Sequence, residues 1–366
     1  MIHTNLGRAT WPRAAIEAAA AASGTLLLEL DPTTGRRGRR YRQAEDHLIA
    51  LTGAEDALVT NNNAAAIALA VGLAGRGGGV VVSRGELVEI GGGVRIPEII
   101  RRAGARLIEV GTTNRTRAAD FEAALADGRA RLVLRVHPSN FIQTGFTEAP
   151  DARAVAELAH RHGAVVVDDL GSGALVGTER YGLAHEPTPA ERLGAGSDVV
   201  TFSGDKLVGG PQAGLIVGRA DLIGRLRRDP LARATRPDKV TLAAVAATLA
   251  LYRAGLAEAE IPVWRALALS RVELRGRAEA IAAQLGSATE VVELDSTVGG
   301  GSLPGETLAS FGLALRTRSA DRLLTALRTG KPAVIARIAA GRVVLDLRTV
   351  APDADTMLTG AIHRAM

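Results

Sequence analysis

The sequence predicts an α/β fold built around a mostly parallel sheet, followed by a smaller α+β unit. Two observations predict it: apolar runs of strand length alternate with Ala-rich segments of helical period, and that texture changes from about residue 288. The runs are DALVT (56–60), GVVVS (79–83), RLIEVG (106–111), RLVLRV (131–136), AVVVDD (164–169), VVTFS (199–203) and GLIVG (214–218). Most are apolar throughout, which reads as strands covered by helices on both faces. Residues 240–285 read as long helix, with KVTLAAVAATLALYRAG closing on a glycine stop. Beyond them EVVELD, FGLALRT, AVIARI and GRVVLDLRTV read as strands, and 318–329 and 353–365 as helices. The expected division is a large domain with an interdomain helix over 1–270 and a small one over 271–366. There is no internal repeat and no low-complexity tail.

Composition narrows the chemistry. At 366 residues and 47% hydrophobic, the chain is long enough for a large core. It has no cysteine, which excludes disulfides, thiolate metal sites and a cysteine nucleophile. The opening MIHTNLGRA lacks a basic flank followed by an apolar stretch, and no apolar run of about 18 residues is free of charge. A cytoplasmic protein without membrane contact is the expectation. The net charge of +5 and pI near 10.1 suggest nucleic-acid binding less than they first do, because Lys occurs only at Lys206, Lys239 and Lys331 among 44 basic residues. In a chain written almost wholly in Arg, a retained Lys points to chemistry that a guanidinium cannot perform, such as imine formation.

In an open parallel sheet ligands bind beyond the carboxyl ends of the strands, so the loops there come first. TNNNAAA (60–66) runs from a strand into an Ala-rich helix, where amides at the helix start favour a phosphate. An asparagine N-cap is the plainer reading of the same residues. VVVDDLGSG ends a strand on Asp168 and Asp169 before a glycine-rich turn. A carboxylate there can cap a helix, bind a metal or face a protonated pyridine nitrogen, and a simple turn also fits. TFSGDKLVGGPQAG (201–214) sets Lys206 just after a strand, with Ser203 three residues earlier. A desolvated Lys206 can shed its proton and form an imine, while the Ser203 hydroxyl can hold a phosphate; a surface lysine in a turn is the alternative. Phosphate loop, strand-end Asp, then Ser and Lys after a later strand resembles the order in aspartate-aminotransferase-like, fold-type I pyridoxal-phosphate enzymes.

A longer set of motifs sharpens the resemblance. HTNLGRA (3–9), TNNNAAA, VSRGELVEIGGG with RIPEI (82–99), EVGTTNRT (109–116), RVHPSNF (135–141), DLGSG (169–173), TFSGDKLVGGPQAG and LDLRTV (345–350) run in order along the chain. Together they resemble the bacterial selenocysteine synthase family, L-seryl-tRNA(Sec) selenium transferase. The resemblance implies pyridoxal 5'-phosphate held as a Schiff base on Lys206, with Asp169 paired to the pyridine nitrogen and Asp168 a neighbour. It implies that Asn62, Asn63, Ala64 and Ser203 hold the phosphate. Arg40 in GRRYRQAE, with Arg233 and Arg236 in LARATRPDK, would bind the oxyanion of the selenium donor. A solvated basic face explains these arginines equally well. His137 in VHPSN sits over the cofactor, acts as a donor, or is a hydrogen-bonded core histidine.

The activity so implied is conversion of seryl-tRNA(Sec) to selenocysteinyl-tRNA(Sec). The β-hydroxyl leaves as water and selenium from selenophosphate takes its place, with Lys206 placed to remove the α-proton. The family also implies an oligomer built from dimers, a decamer in its ring form. It usually carries a helical N-terminal domain that grips the tRNA, whereas this chain starts just before HTNLGRA; GRRGRRYR (35–42) is a basic loop able to contact phosphates without showing specificity. The alternative is a related pyridoxal-phosphate lyase acting on a small amino acid or amino sugar. No metal is expected.

Overall fold

The computed structural model describes residues 1–366 apart from Arg39 and Tyr41, so those two positions of the basic stretch 35–42 lie outside the described residues. In chain order the first strands are β1 (Asp56–Thr60), β2 (Gly79–Ser83), the short hairpin β3 (Glu89–Ile90) and β4 (Val94–Arg95), β5 (Arg106–Val110), β6 (Ala130–Val136), β7 (Val165–Gly171), β8 (Val199–Ser203) and β9 (Gly214–Gly218). Seven of them form one sheet in the order β1-β9-β8-β7-β6-β2-β5. The run β8-β7-β6-β2-β5 is parallel, and β9 is antiparallel to both its neighbours.

The unbroken apolar runs have a direct cause. Val80 and Val82 of β2 pack into a core with helices Asn63–Val71 and Ile96–Arg102, whereas Val81 packs into another with helices Ala118–Leu125 and Ala152–Arg161. Successive strand residues point to opposite faces, so a sheet covered on both needs apolar residues at every position.

The long helix expected over 240–285 is four helices: Lys239–Arg253, Ala257–Glu260, Pro262–Ala268 and Arg271–Leu285. Gly255 takes a φ of 71°, Pro262 starts a helix where no amide is required, and Ser270 forms a capping box with Glu273. The sequence marks the stop at Gly255, whereas the Ala-rich period runs through the other two and masks them.

The carboxyl-terminal strands β10 (Thr289–Thr297), β11 (Thr307–Leu315), β12 (Arg337–Ala339) and β13 (Arg342–Asp346) make an antiparallel sheet in the order β10-β11-β13-β12. AVIARI contributes to it only from Arg337, and β11 begins four residues before FGLALRT. Helices Arg271–Leu285, Ala320–Thr329 and Asp355–Ala365 close a core against this sheet. Residues 298–306, between β10 and β11, reach back to the large sheet. Val298 and Leu303 join the core of Ile2, Phe202 and Trp264, and Glu306 Oε2 accepts the Ala184 amide at 2.9 Å. Among the described residues no helix is long and apolar enough to cross a membrane.

Candidate active site

The loops that follow β1, β6, β7 and β8 enclose a cavity of about 210 Å³ at the carboxyl edge of the parallel strands. Lys206, Asp169, Asn62, Asn63, Ala64, Ser203 and His137 all line it, so the residues expected to hold and activate a cofactor come together from four separated segments.

Lys206 stands apart from the other lysines of the chain. The other two lysines are engaged or exposed: Lys239 donates to the carbonyls of Ser23 and Gly24, and Lys331 is at the surface. Lys206 instead is largely buried, with no hydrogen-bond partner for Nζ among the described residues. Burial pushes its ammonium below the ordinary lysine value, against the Asp169 carboxylate, and the nearby Arg8 charge adds to the depression. Two glycines make room for it. A Cβ on Gly171, at φ +66°, would lie 2.9 Å from Ser139 Oγ and 3.6 Å from Lys206 Nζ. One on Gly301, at φ +80° in the loop from the small sheet, would lie 3.3 Å from Nζ.

Asp168 and Asp169 separate by the alternation of β7. Asp169 is 4% exposed and faces the cavity; its Oδ1 accepts from Asn63 Nδ2 at 2.8 Å and Thr201 Oγ1 at 3.1 Å. Burial pushes its carboxyl above the usual range, opposed by the Asn63 bond, the Lys206 charge and the Thr201 bond. Asp168 stands beside Arg135 of β6 and accepts from Ser197 Oγ. It lines a different cavity of about 370 Å³ with Glu86 and Arg135.

At the other end of the site the N-cap reading holds for the Asn62 side chain. Its Oδ1 accepts the Ala65 amide at 2.9 Å, and its carbonyl accepts that of Ala66 at 3.1 Å. The amides of Asn63 and Ala64, in the first turn of helix Asn63–Val71, are left without a partner among the described residues. Those donors, with Ser203 in the same cavity, are suited to a phosphate.

The three expected oxyanion arginines do not line this cavity. Arg40 and Arg236 share Glu29, at 3.0 and 3.3 Å, and border a second cavity of about 310 Å³ with Arg42, Glu45 and Arg227. Arg233 is exposed at the end of helix Pro230–Ala234. One backbone bond, Asn61 N to Thr235 O at 2.8 Å, ties that segment to the asparagine loop.

The sequence reading missed Arg8, Ser139, Asn140, Gln212 and Gly91 as lining residues. All lie inside motifs that it quoted, HTNLGRA, VHPSN, PQAG and VEIGGG, but only the fold brings those motifs together. Arg8 is turned into place by a φ of 67° and a two-bond ion pair to Asp205 at 3.0 and 2.8 Å.

The residues present fit pyridoxal phosphate. A buried carboxylate short of positive charge suits a pyridinium, a desolvated and unpaired amine suits an aldehyde, and free helix-start amides suit a phosphate. Asn63 Oδ1 is buried without a partner, a further polar atom left for a ligand. No group of three or more metal-ligating side chains occurs among the described residues.

Comparison with known proteins shows the family and the fold. The family model described as L-seryl-tRNA selenium transferase matches residues 1–351. The L-seryl-tRNA(Sec) selenium transferase of Rhizobium meliloti is 46% identical, over 98% of this chain and 79% of that protein. That of Carboxydothermus hydrogenoformans is 47% identical, over 96% of this chain and 77% of that protein. Among solved structures, a D-glucosaminate-6-phosphate ammonia-lyase superposes with a TM-score of 0.70 at 21% identity, covering 99% of this chain and 93% of that chain. A serine palmitoyltransferase from S. paucimobilis with bound PLP gives 0.52 at 15% identity, over 96% of this chain and 83% of that chain. At such identities the structures establish the fold, aspartate-aminotransferase-like and of type I. The sequence relatives establish more: this chain belongs to the L-seryl-tRNA selenium transferase family.

Proposed function

We propose that this chain is a pyridoxal-phosphate-dependent L-seryl-tRNA(Sec) selenium transferase, replacing the β-hydroxyl of a seryl group on tRNA(Sec) with selenium from selenophosphate. The observation that carries the reading is the convergence of Lys206, Asp169 and the free amides of Asn63 and Ala64 on one cavity, in a chain 46–47% identical to enzymes of that name.

Bound there, pyridoxal phosphate supplies an electron sink for negative charge developing at the substrate α-carbon. Lys206 would anchor it covalently and would serve as the base for the α-proton; burial lowers its pKa and so keeps the amine available. Asp169, fixed by Asn63 and Thr201, holds the pyridine nitrogen charged. Asn62 shapes the helix start by capping it, while Asn63, Ala64 and Ser203 take the phosphate. His137 stands in the same cavity as a polar side chain toward cofactor or substrate.

Arg40, Arg233 and Arg236 are the residues we assign to the selenophosphate oxyanion. Arg40 and Arg236 border a neighbouring cavity and Arg233 is exposed at a helix end, none of them lining the Lys206 cavity, so we also propose that the working form is an oligomer of dimers in which they serve a site completed by a second copy. We divide the chain at 270/271 and place the enzyme in the cytoplasm.

Incubation with seryl-tRNA(Sec) and selenophosphate tests the function directly. Selenocysteinyl-tRNA is the expected product. Ammonia release from a free amino acid or amino sugar, without selenium transfer, would instead identify a lyase.

A further inference from the structure

Glu186 belongs to none of the motifs above, yet it is built into the site. It lies between β7 and β8 and is 2% exposed. Its loop is pinned from both sides. Thr178 Oγ1 donates to the Ala184 carbonyl at 2.6 Å and accepts the Glu186 amide at 3.0 Å, and Glu306 Oε2 holds the Ala184 amide at 2.9 Å. The carboxylate so fixed has one oxygen, Oε1, that is buried without a hydrogen-bond partner. Leaving such an atom unpaired is costly, and it calls for a donor.

The donor within reach is His137. Its Nε2 lies 3.4 Å from Glu186 Oε1, inside ion-pair distance but not aligned as a hydrogen bond. Contacts of this kind in ligand-free sites are commonly long and tighten when the site fills. The backbone of His137 is already set: its amide donates to the Asp169 carbonyl at 2.8 Å, and its carbonyl accepts the Ser139 amide at 2.8 Å. What stays adjustable is the ring. It lines the Lys206 cavity, and Nδ1 has no hydrogen-bond partner among the described residues.

A neutral imidazole carries one N–H and one bare nitrogen, and whichever nitrogen faces a carboxylate takes the proton. We propose that Glu186 is a positioning residue: it accepts the Nε2–H of His137 and so presents Nδ1 to the cavity as an acceptor for the hydroxyl of the bound substrate. This rests on the substrate being a seryl ester, whose β-hydroxyl is then the donor. An acceptor placed in a closed site discriminates strongly, because an analogue without the hydroxyl leaves it unpaired. Glu186 therefore selects a hydroxyl-bearing aminoacyl group through His137, without touching the substrate itself.

The tautomer can be read without turnover. Nitrogen-15 NMR of the histidine-labelled, cofactor-free full chain, with His137 assigned by the signal missing in His137→Gln, reports which ring nitrogen is protonated. The native chain is expected to be protonated at Nε2 and bare at Nδ1. Glu186→Gln, whose amide oxygen still accepts, keeps that state, and Glu186→Leu loses the preference. Protonation at Nδ1 in the native chain overturns the proposal, as does an unchanged tautomer in a folded Glu186→Leu. The native measurement decides the matter even if the leucine variant does not fold. A second arm compares binding of seryl-tRNA(Sec) and alanyl-tRNA(Sec) to the cofactor-loaded protein. The native protein should prefer the seryl form by about tenfold or more, and Glu186→Leu should lose most of that preference. An equal preference in both overturns the hydroxyl role. Absence of any tRNA binding overturns the substrate reading instead, and the tautomer then decides the Glu186–His137 part alone.

Discussion

Asn63 does two jobs with one side chain and one amide. Its Nδ2 donates to Asp169 at 2.8 Å, and its backbone opens the helix that offers amides to a phosphate. Asn63→Ala keeps the amide but leaves Asp169 Oδ1 only the Thr201 bond. Losing a hydrogen bond to a buried charged group costs about 1.5–3 kcal/mol, so pyridoxal-phosphate affinity should fall about tenfold or more. Spectroscopic titration of the cofactor-free protein measures it; unchanged affinity would remove Asn63 from the site. At this scale the sequence was most informative where one residue type has few uses. A lone Lys after a strand in an Arg-rich chain named Lys206, and its burial supplies the physical reason. Glu186 and Gly301 were illegible, because an acidic residue or a glycine in a loop has many uses and only the fold brings each near the cavity.

At the scale of elements, the helix Gln43–Thr52 carries the clearest pH signal. Burial pushes Glu45 up to about 7; Arg227 at 3.4 Å and Arg42 at 3.1 Å oppose this, but Asp56 repels it. Asp56, at about 2 despite its own burial, draws on those same two arginines. A carboxyl raised in the folded state binds its proton there more tightly than in the unfolded chain. Its contribution to stability is therefore full below the ordinary value of 4.5 and is lost as pH rises through about 7. Denaturant unfolding of Glu45→Gln against the native chain should show a difference that moves in favour of the variant across that window, by on the order of 1–3 kcal/mol. A pH-independent difference would contradict it.

The loop 298–306 matters through its backbone. Gly301 sits at φ +80° against Lys206, and alanine there is strained as well as crowded. Gly301→Ala should cost about 1 kcal/mol of stability and weaken the cofactor's hold, read by thermal unfolding with and without pyridoxal phosphate. The seven strands of the large sheet were visible in the sequence, most of them as apolar runs because both of their faces are buried, and the edge strand β5 as a mixed run with exposed Arg106 and Glu109. The glycine stop at Gly255 was visible as well, but the breaks at Pro262 and Ser270 were not, since short Ala-rich helices in succession share one period.

The whole molecule depends on how its two sheets are joined. Arg348, in the LDLRTV motif, is 3% exposed. It donates through Nη1 to the carbonyls of Ala266 and Leu269, at 2.9 and 2.8 Å, and through Nη2 to Ala309 at 2.8 Å. One guanidinium thus ties the carboxyl end of helix Pro262–Ala268 to strand β11. Arg348→Ala strands several buried carbonyls, and a loss of about 2–4 kcal/mol is expected in chemical unfolding, with separation into two transitions if the small sheet is released first. A variant as stable as the native chain would show that the join lies elsewhere. The same join brings Gly301 over Lys206, which no local pattern announces because the two are 95 positions apart in the sequence.

The scarcity of lysine makes the role of Lys206 as covalent anchor simple to test. Borohydride reduction of the protein loaded with pyridoxal phosphate, followed by proteolysis and mass spectrometry, locates the cofactor among Lys206, Lys239 and Lys331. The added mass is expected on the peptide that contains Lys206 and is expected to be absent from that peptide in Lys206→Ala. Cofactor mass on Lys239 or Lys331 alone, or on no lysine at all, would contradict it.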